Sequence, residues 1–203
     1  EVRGYYFITD SGLSLAGNLS DVRSAVSAGV SIVQYREKSG DTGALYKEAL
    51  RLAEICRGTA AKFIVNDRID ITLAVDADGV HLGQSDMPYD VARRILGPDK
   101  IIGITVHSVD EAVKAEREGA DYLGVSPIFS TSTKKDAGIP AGLTLISEIR
   151  KKSSLPLIAI GGIDLSNAPD VIAAGADMVC AISAVITKPD VAAEIKRFQK
   201  LFQ

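Results

Sequence analysis

Short apolar runs and longer amphipathic stretches alternate along the whole chain. The apolar runs predict strands over 5–9, 32–36, 63–66, 79–82, 101–105, 122–125, 157–160 and 178–182. Between them the apolar residues recur at helical spacing. Leu45, Ala49, Leu52 and Ile55 or Cys56 share one face over 44–57, and Val109, Ala112, Val113 and Glu116 are spaced likewise over 109–117. Eight alternations of strand and helix within 203 residues are the pattern of a parallel α/β sheet.

An internal repeat separates a barrel from an open sheet. Ala28-Gly29-Val30-Ser31-Ile32 resembles Glu118-Gly119-Ala120-Asp121-Tyr122 and Ala174-Gly175-Ala176-Asp177-Met178, and Asp76-Ala77-Asp78-Gly79 is a weaker copy. Each copy is a helix end running directly into an even-numbered predicted strand, so the period is two βα units. Four double units imply eight strands. The expected fold is a single (βα)8 TIM barrel domain over residues 1–203, with a doubly wound sheet as the alternative.

Composition changes this picture by exclusion. A net charge of −3 and a pI near 5.5 give no electrostatic case for nucleic acid or for an anionic membrane surface. No apolar run approaches the ~18 residues of a membrane span, and no signal-peptide pattern opens the chain. Cys56 and Cys180 lack a metal-ligand spacing, so they read as reduced structural thiols of a cytoplasmic protein. His81 and His107 lie too far apart in sequence to suggest a local metal site.

In a barrel the site lies at the C-terminal ends of the strands. Strand 2 ends Gln34-Tyr35-Arg36-Glu37-Lys38, and alternation puts Gln34, Arg36 and Lys38 on one face, Tyr35 and Glu37 on the other. An amide, a guanidinium and an ammonium in line suit a polyanion, although a strand end salt-bridged through Glu37 is also allowed. Strands 3 and 4 lead to Asp67 and Asp86. Two carboxylates beside a phosphate would repel it unless a cation such as Mg2+ intervened. Asp67 has a second reading as the cap of the next helix, and Asp86 as a turn residue. Thr105 points into the mouth if its parity matches Gly103. Ser108 with Glu111 reads as a capping box, and His107 as at most a ligand contact.

Strand 6 runs into Ser126-Pro127-Ile128-Phe129-Ser130-Thr131-Ser132-Thr133-Lys134-Lys135-Asp136-Ala137, hydroxyls and lysines that folding alone explains poorly. Gly161-Gly162 follows strand 7, and Ile182-Ser183 ends strand 8. Loops after these two strands commonly bind phosphate through backbone N–H groups. Two anion sites in one mouth are therefore expected. No Ser/His/Asp set or nucleophile–base pair is present at the strand ends, so the site suits positioning and charge stabilisation.

The segments 33–38, 65–68, 79–88, 127–137 and 159–163 together resemble the thiamin phosphate synthase family, nearly end to end. The resemblance implies a (βα)8 barrel joining hydroxymethylpyrimidine diphosphate to hydroxyethylthiazole phosphate. It implies pyrimidine diphosphate contacts at Gln34, Tyr35, Arg36, Glu37, Lys38, Asn66, Thr105 and Lys134. Mg2+ would sit at Asp67 and Asp86, and the thiazole phosphate at Thr131, Ser132, Thr133, Gly162, Ile182 and Ser183. Arg36, Lys38, Thr105 and Lys134 would carry the catalytic role, with loop 126–137 as a lid. Departures from the family pattern are Thr105 for a frequent Ser, Ser126 and Ser130 for Gly and Pro, and Tyr35 for Leu. A thiazole tautomerase and a non-catalytic phosphate-binding barrel remain as alternatives, and a homodimer is left open. The implied partners are small phosphorylated substrates, without nucleic acid or membrane.

Overall fold

A computed structural model describes residues 2–131 and 139–203. Its strands are β1 (Gly4–Ile8), β2 (Ile32–Tyr35), β3 (Lys62–Asn66), β4 (Gly79–Leu82), β5 (Ile101–Val106), β6 (Tyr122–Val125), β7 (Leu157–Ile160) and β8 (Met178–Cys180). All pair in parallel, each with its sequence neighbours, and β1 with β8 completes a closed barrel. Helices α1 (Asn18–Ser27), α2 (Thr42–Cys56), α3 (Ile69–Ala74), α4 (Tyr89–Leu96), α5 (Val109–Glu118), α6 (Gly142–Arg150) and α7 (Ala168–Ala173) connect successive strands. A short α8 (Ile182–Ile186) and the final α9 (Val191–Gln199) follow β8. The expected eight-stranded barrel is therefore the architecture. The bounds of β4, β6 and β7 agree with the sequence reading, and the other strands differ by one or two residues.

Side-chain alternation builds two apolar layers. Tyr6, Ile8, Ile32, Ile64, Tyr122, Ile158, Met178 and Cys180 fill the barrel interior. Phe7, Val33, Val65, Leu82, Ile102, Leu123 and Leu157 face outward into the layer shared with the helices, which contribute Val22, Leu52, Ile71, Ile146 and Phe198 among others. Gly103 makes room for the largest interior ring: a Cβ there would lie 2.0 Å from Tyr122 Cζ.

The fourfold repeat has a geometric cause at the N-terminal end of the barrel. Gly29, Asp76, Gly119 and Gly175 occupy corresponding positions, and all four have positive φ, the left-handed end that lets a helix turn directly into a strand. Two residues later, Asp78, Asp121 and Asp177 accept the backbone N–H groups of Phe63, Ile102 and Leu157, at 2.8, 2.7 and 2.8 Å. Each thereby ties its own strand to the preceding one. A cation joins each clasp: Lys62, Arg93 and Arg150, at 3.0, 2.9 and 3.0 Å. In the first copy Ser31 takes the aspartate's place, and its buried hydroxyl finds no hydrogen-bond partner.

Candidate active site

At the opposite end the strands open into a pocket of about 380 Å3. Among the described residues it is lined by Gln34, Arg36, Lys38, Asn66, Asp67, Asp86, Thr105, Thr131, Gly162, Ile182 and Ser183. The structure thus gathers every described candidate except Tyr35 and Glu37. Ser132, Thr133 and Lys134 lie outside the described residues, as does the rest of the expected lid over 135–137.

Parity explains the two exceptions. Gln34 faces the interior, and Arg36 and Lys38 continue on its side beyond the end of β2. Tyr35 points outward, is buried, and donates to Glu48 Oε2 of α2 at 2.8 Å. Glu37 accepts from the Ser11 hydroxyl and from Ser39 N at 2.8 Å. Despite partial burial, these bonds hold its carboxyl below the usual range. The side chains of Tyr35 and Glu37 therefore fix the end of β2 and do not line the pocket.

Asp67 follows the last residue of β3 with φ 61°, in the left-handed region. It does not cap α3, whose N-cap is Arg68 with no side-chain cap bond. Instead its Oδ2 lies 3.1 Å from Lys38 Nζ. Asp86 closes a turn by accepting the Gly83 N–H at 2.7 Å, as its turn reading anticipates. Burial and the adjacent Asp67 carboxylate raise its carboxyl above the ordinary value. Arg36 Nη1 lies 3.9 Å from Asp10 Oδ2. Among the described residues, Asp10, Asp67 and Asp86 when ionised outnumber Arg36 and Lys38 by one. This is a poor seat for a diphosphate until a divalent cation reverses the sign. A pair of hard oxygen donors beside open space for ligand oxygens and water fits Mg2+, which takes few protein ligands. No group of three or more His, Cys, Asp or Glu suited to a metal occurs among the described residues.

Across the ring from β3 lies β7. Gly161 and Gly162 have φ of 105° and 64°, and a Cβ on Gly162 would meet Ser130 O at 2.5 Å. The close fit seats the segment after β6 on β7: Ile128 N donates to Ile160 O and Phe129 N to Gly161 O, both at 3.0 Å. The returning chain is fastened to the same segment, Ala141 N to Pro127 O at 2.9 Å and Gly142 N to Ile128 O at 3.0 Å. The predicted β8 was too long. The strand stops at Cys180, and Ile182 and Ser183 form the first turn of α8. N–H groups of a first turn lack partners within their own helix, so the β7–β8 side of the mouth offers backbone donors and hydroxyls.

Thr105 does point inward. Its Oγ1 lies 2.8 Å from His81 Nε2, and its carbonyl accepts from Gln84 at 2.6 Å. His107 also lines the pocket, with Nδ1 2.5 Å from Ser126 O. Ser108 caps α5 by accepting from Glu111 N at 3.2 Å, whereas the Glu111 carboxylate accepts from His107 N at 2.7 Å, one residue before the position a capping box uses. Sequence reasoning missed His81 and Gln84 as pocket residues. The available signal for His81 was parity, because it is the one polar side chain between Gly79 and Gly83 on the inward face of β4. Cys56 and Cys180 are free and buried, as expected, and burial pushes the Cys56 thiol up to about 12.

No helix among the described residues is long and apolar enough to cross a membrane. Residues 5–185 match the family model described as thiamine monophosphate synthase. The chain is 55% identical to the thiamine-phosphate synthase of Methanosarcina barkeri over 194 residues, covering 96% of this chain and 88% of that one. It is 47% identical over 197 residues to that of Chloroflexus aurantiacus, covering 97% and 91%. A solved thiamine phosphate pyrophosphorylase from Pyrococcus furiosus superposes with a TM-score of 0.89 at 40% identity, covering 98% of this chain and 94% of that one. With the pocket, its carboxylate pair and its glycine-seated rim in the places expected, the chain belongs to the thiamine monophosphate synthase family.

Proposed function

We propose that this pocket joins hydroxymethylpyrimidine diphosphate to hydroxyethylthiazole phosphate, releasing pyrophosphate and giving thiamin phosphate. The carrying observation is the division of one mouth into two unlike sides. The β2–β4 side brings Arg36, Lys38, Asp67 and Asp86 together, while the β6–β8 side brings Thr131, Gly162, Ile182 and Ser183. Two phosphorylated substrates of unequal charge fit this asymmetry.

Asp67 and Asp86 would hold Mg2+, which when bound supplies positive charge to a departing pyrophosphate. Arg36 and Lys38, together with Lys134, bind the diphosphate and stabilise it as it leaves. The bond from the pyrimidine methylene to oxygen breaks, and its electron pair leaves with pyrophosphate. The thiazole nitrogen then donates its lone pair to the methylene carbon. No proton leaves the reacting carbon, so the step needs no general base. Gln34, Asn66 and Thr105 position the pyrimidine. Thr131, Ser132, Thr133, Gly162, Ile182 and Ser183 hold the thiazole phosphate. The enzyme is placed in the cytoplasm, with small phosphorylated substrates and no nucleic-acid or membrane partner; sedimentation decides between monomer and homodimer.

Incubating the protein with both substrates and Mg2+ should yield thiamin phosphate and pyrophosphate in equal amounts. No product at saturating substrate would sink this reading and leave a tautomerase or a binding barrel. Neither of those explains why two cations and two carboxylates converge opposite the glycine side.

A further inference from the structure

Five polar side chains form an unbroken line beneath the pocket. Gln34 Nε2 donates to the Tyr6 hydroxyl at 2.8 Å, and the Tyr6 and Tyr122 hydroxyls are 2.7 Å apart. The Tyr122 hydroxyl lies 2.9 Å from His81 Nδ1, and His81 Nε2 lies 2.8 Å from Thr105 Oγ1. All five residues are buried. Gln34, His81 and Thr105 reach the pocket, while Tyr6 and Tyr122 lie below it. Desolvation raises both phenols, so each keeps its single hydrogen.

Such a line has a direction. A phenol donates once, and a neutral imidazole has one N–H and one acceptor nitrogen. With His81 neutral, only two orderings use every hydroxyl hydrogen and satisfy all four links. In the first, hydrogens point from Gln34 through Tyr6 and Tyr122 to His81 Nδ1, and His81 Nε2–H donates to Thr105. Gln34 then turns its carbonyl to the pocket, and Thr105 has its hydroxyl hydrogen to give. In the second, every link reverses, and so does the character of both ends. In neither ordering do the two ends have the same character. A mixed ordering leaves a buried donor or acceptor unmet, which is costly in an interior.

We propose that Tyr6, Tyr122 and His81 are positioning residues that fix Gln34 as an acceptor and Thr105 as a donor, so that the pocket reads an amino N–H beside a ring nitrogen. The Gln34 Nε2 bond to Tyr6 selects this ordering. An oxo ring presents the inverse pattern, a carbonyl beside a ring N–H, and is rejected. The inference rests on the reading above that Gln34 and Thr105 face the pyrimidine.

The measured quantity is preference: the inhibition constant of the oxo pyrimidine diphosphate over the KM of the amino substrate. Tyr122→Phe and Tyr6→Phe keep the rings and cut the line. Each should lower the preference about tenfold, with the KM for thiazole phosphate unchanged. An unchanged preference in both folded variants overturns the proposal. Thr105→Val separates the two layers of the argument. If it too leaves the preference intact, the pyrimidine is not read at Thr105 and the underlying assignment fails. If it lowers the preference while the tyrosine variants do not, the line alone is wrong. Should the tyrosine variants fail to fold, nitrogen-15 spectra of the wild type decide: a neutral His81 protonated on Nε2 supports the ordering, and protonation on Nδ1 overturns it.

Discussion

At the scale of single residues, Asp86 couples chemistry to stability. Its carboxyl sits above the ordinary value in the fold, so its favourable contribution exists while it is protonated and is lost as pH rises through the raised value. Asp86→Asn, which keeps an acceptor for Gly83, should therefore raise the melting temperature of the metal-free protein at neutral pH by about 2–4 °C, and not at acid pH. Mg2+ should stabilise the wild type and not the variant, and half-maximal rate in the variant should need about 10- to 100-fold more Mg2+. Equal Mg2+ dependence of the two proteins would contradict the carboxylate assignment. Arg36→Lys keeps the charge and loses the two-pronged donor, so kcat/KM for the pyrimidine diphosphate should fall about 10- to 100-fold. Residue types at strand ends made most of this site legible, because cations, carboxylates and glycines there have few structural uses. The interior line was not. Tyr6 and Tyr122 are 116 positions apart, and parity predicts that each faces inward without saying what it meets there.

At the scale of elements, the misjudged end of β8 shows what hydrophobicity leaves undecided. Residues 178–182 are almost continuously apolar, yet the strand stops and a helix begins within that run. A short apolar run is compatible with a buried strand or a buried helix turn. β4, β6 and β7 were read correctly because polar, proline or glycine residues bracket them. The turn after β7 carries its own test. Gly162→Ala places a side chain where φ is 64° and where Ser130 O already stands. The variant should lose about 1–3 kcal/mol of stability in urea unfolding. It should also raise the KM for thiazole phosphate more than that for the pyrimidine diphosphate. Equal effects on both KM values would argue that the glycine serves folding alone.

At the scale of the whole molecule, the two ends of the barrel divide the labour. The pocket occupies the C-terminal end, and the aspartate clasps occupy the N-terminal end. Asp121→Ala strips Ile102 N–H of its side-chain acceptor and Arg93 of its carboxylate partner. It should cost about 1–3 kcal/mol, read by urea unfolding, while the kcat of the folded enzyme stays at the wild-type level. The clasps also join strands in pairs: β3 with β4, β5 with β6, β7 with β8. None of their carboxylate-to-amide bonds crosses the stretch between α4 and β5, where Gly97 and Pro98 stand. A gene divided at that seam would encode two fragments, each keeping its carboxylate-to-amide bonds intact. The Arg93–Asp121 ion pair bridges the seam and would guide the fragments back together. Expressed separately and mixed, the two halves should restore activity, so the seam is a natural crossover point for recombining enzyme halves from different relatives.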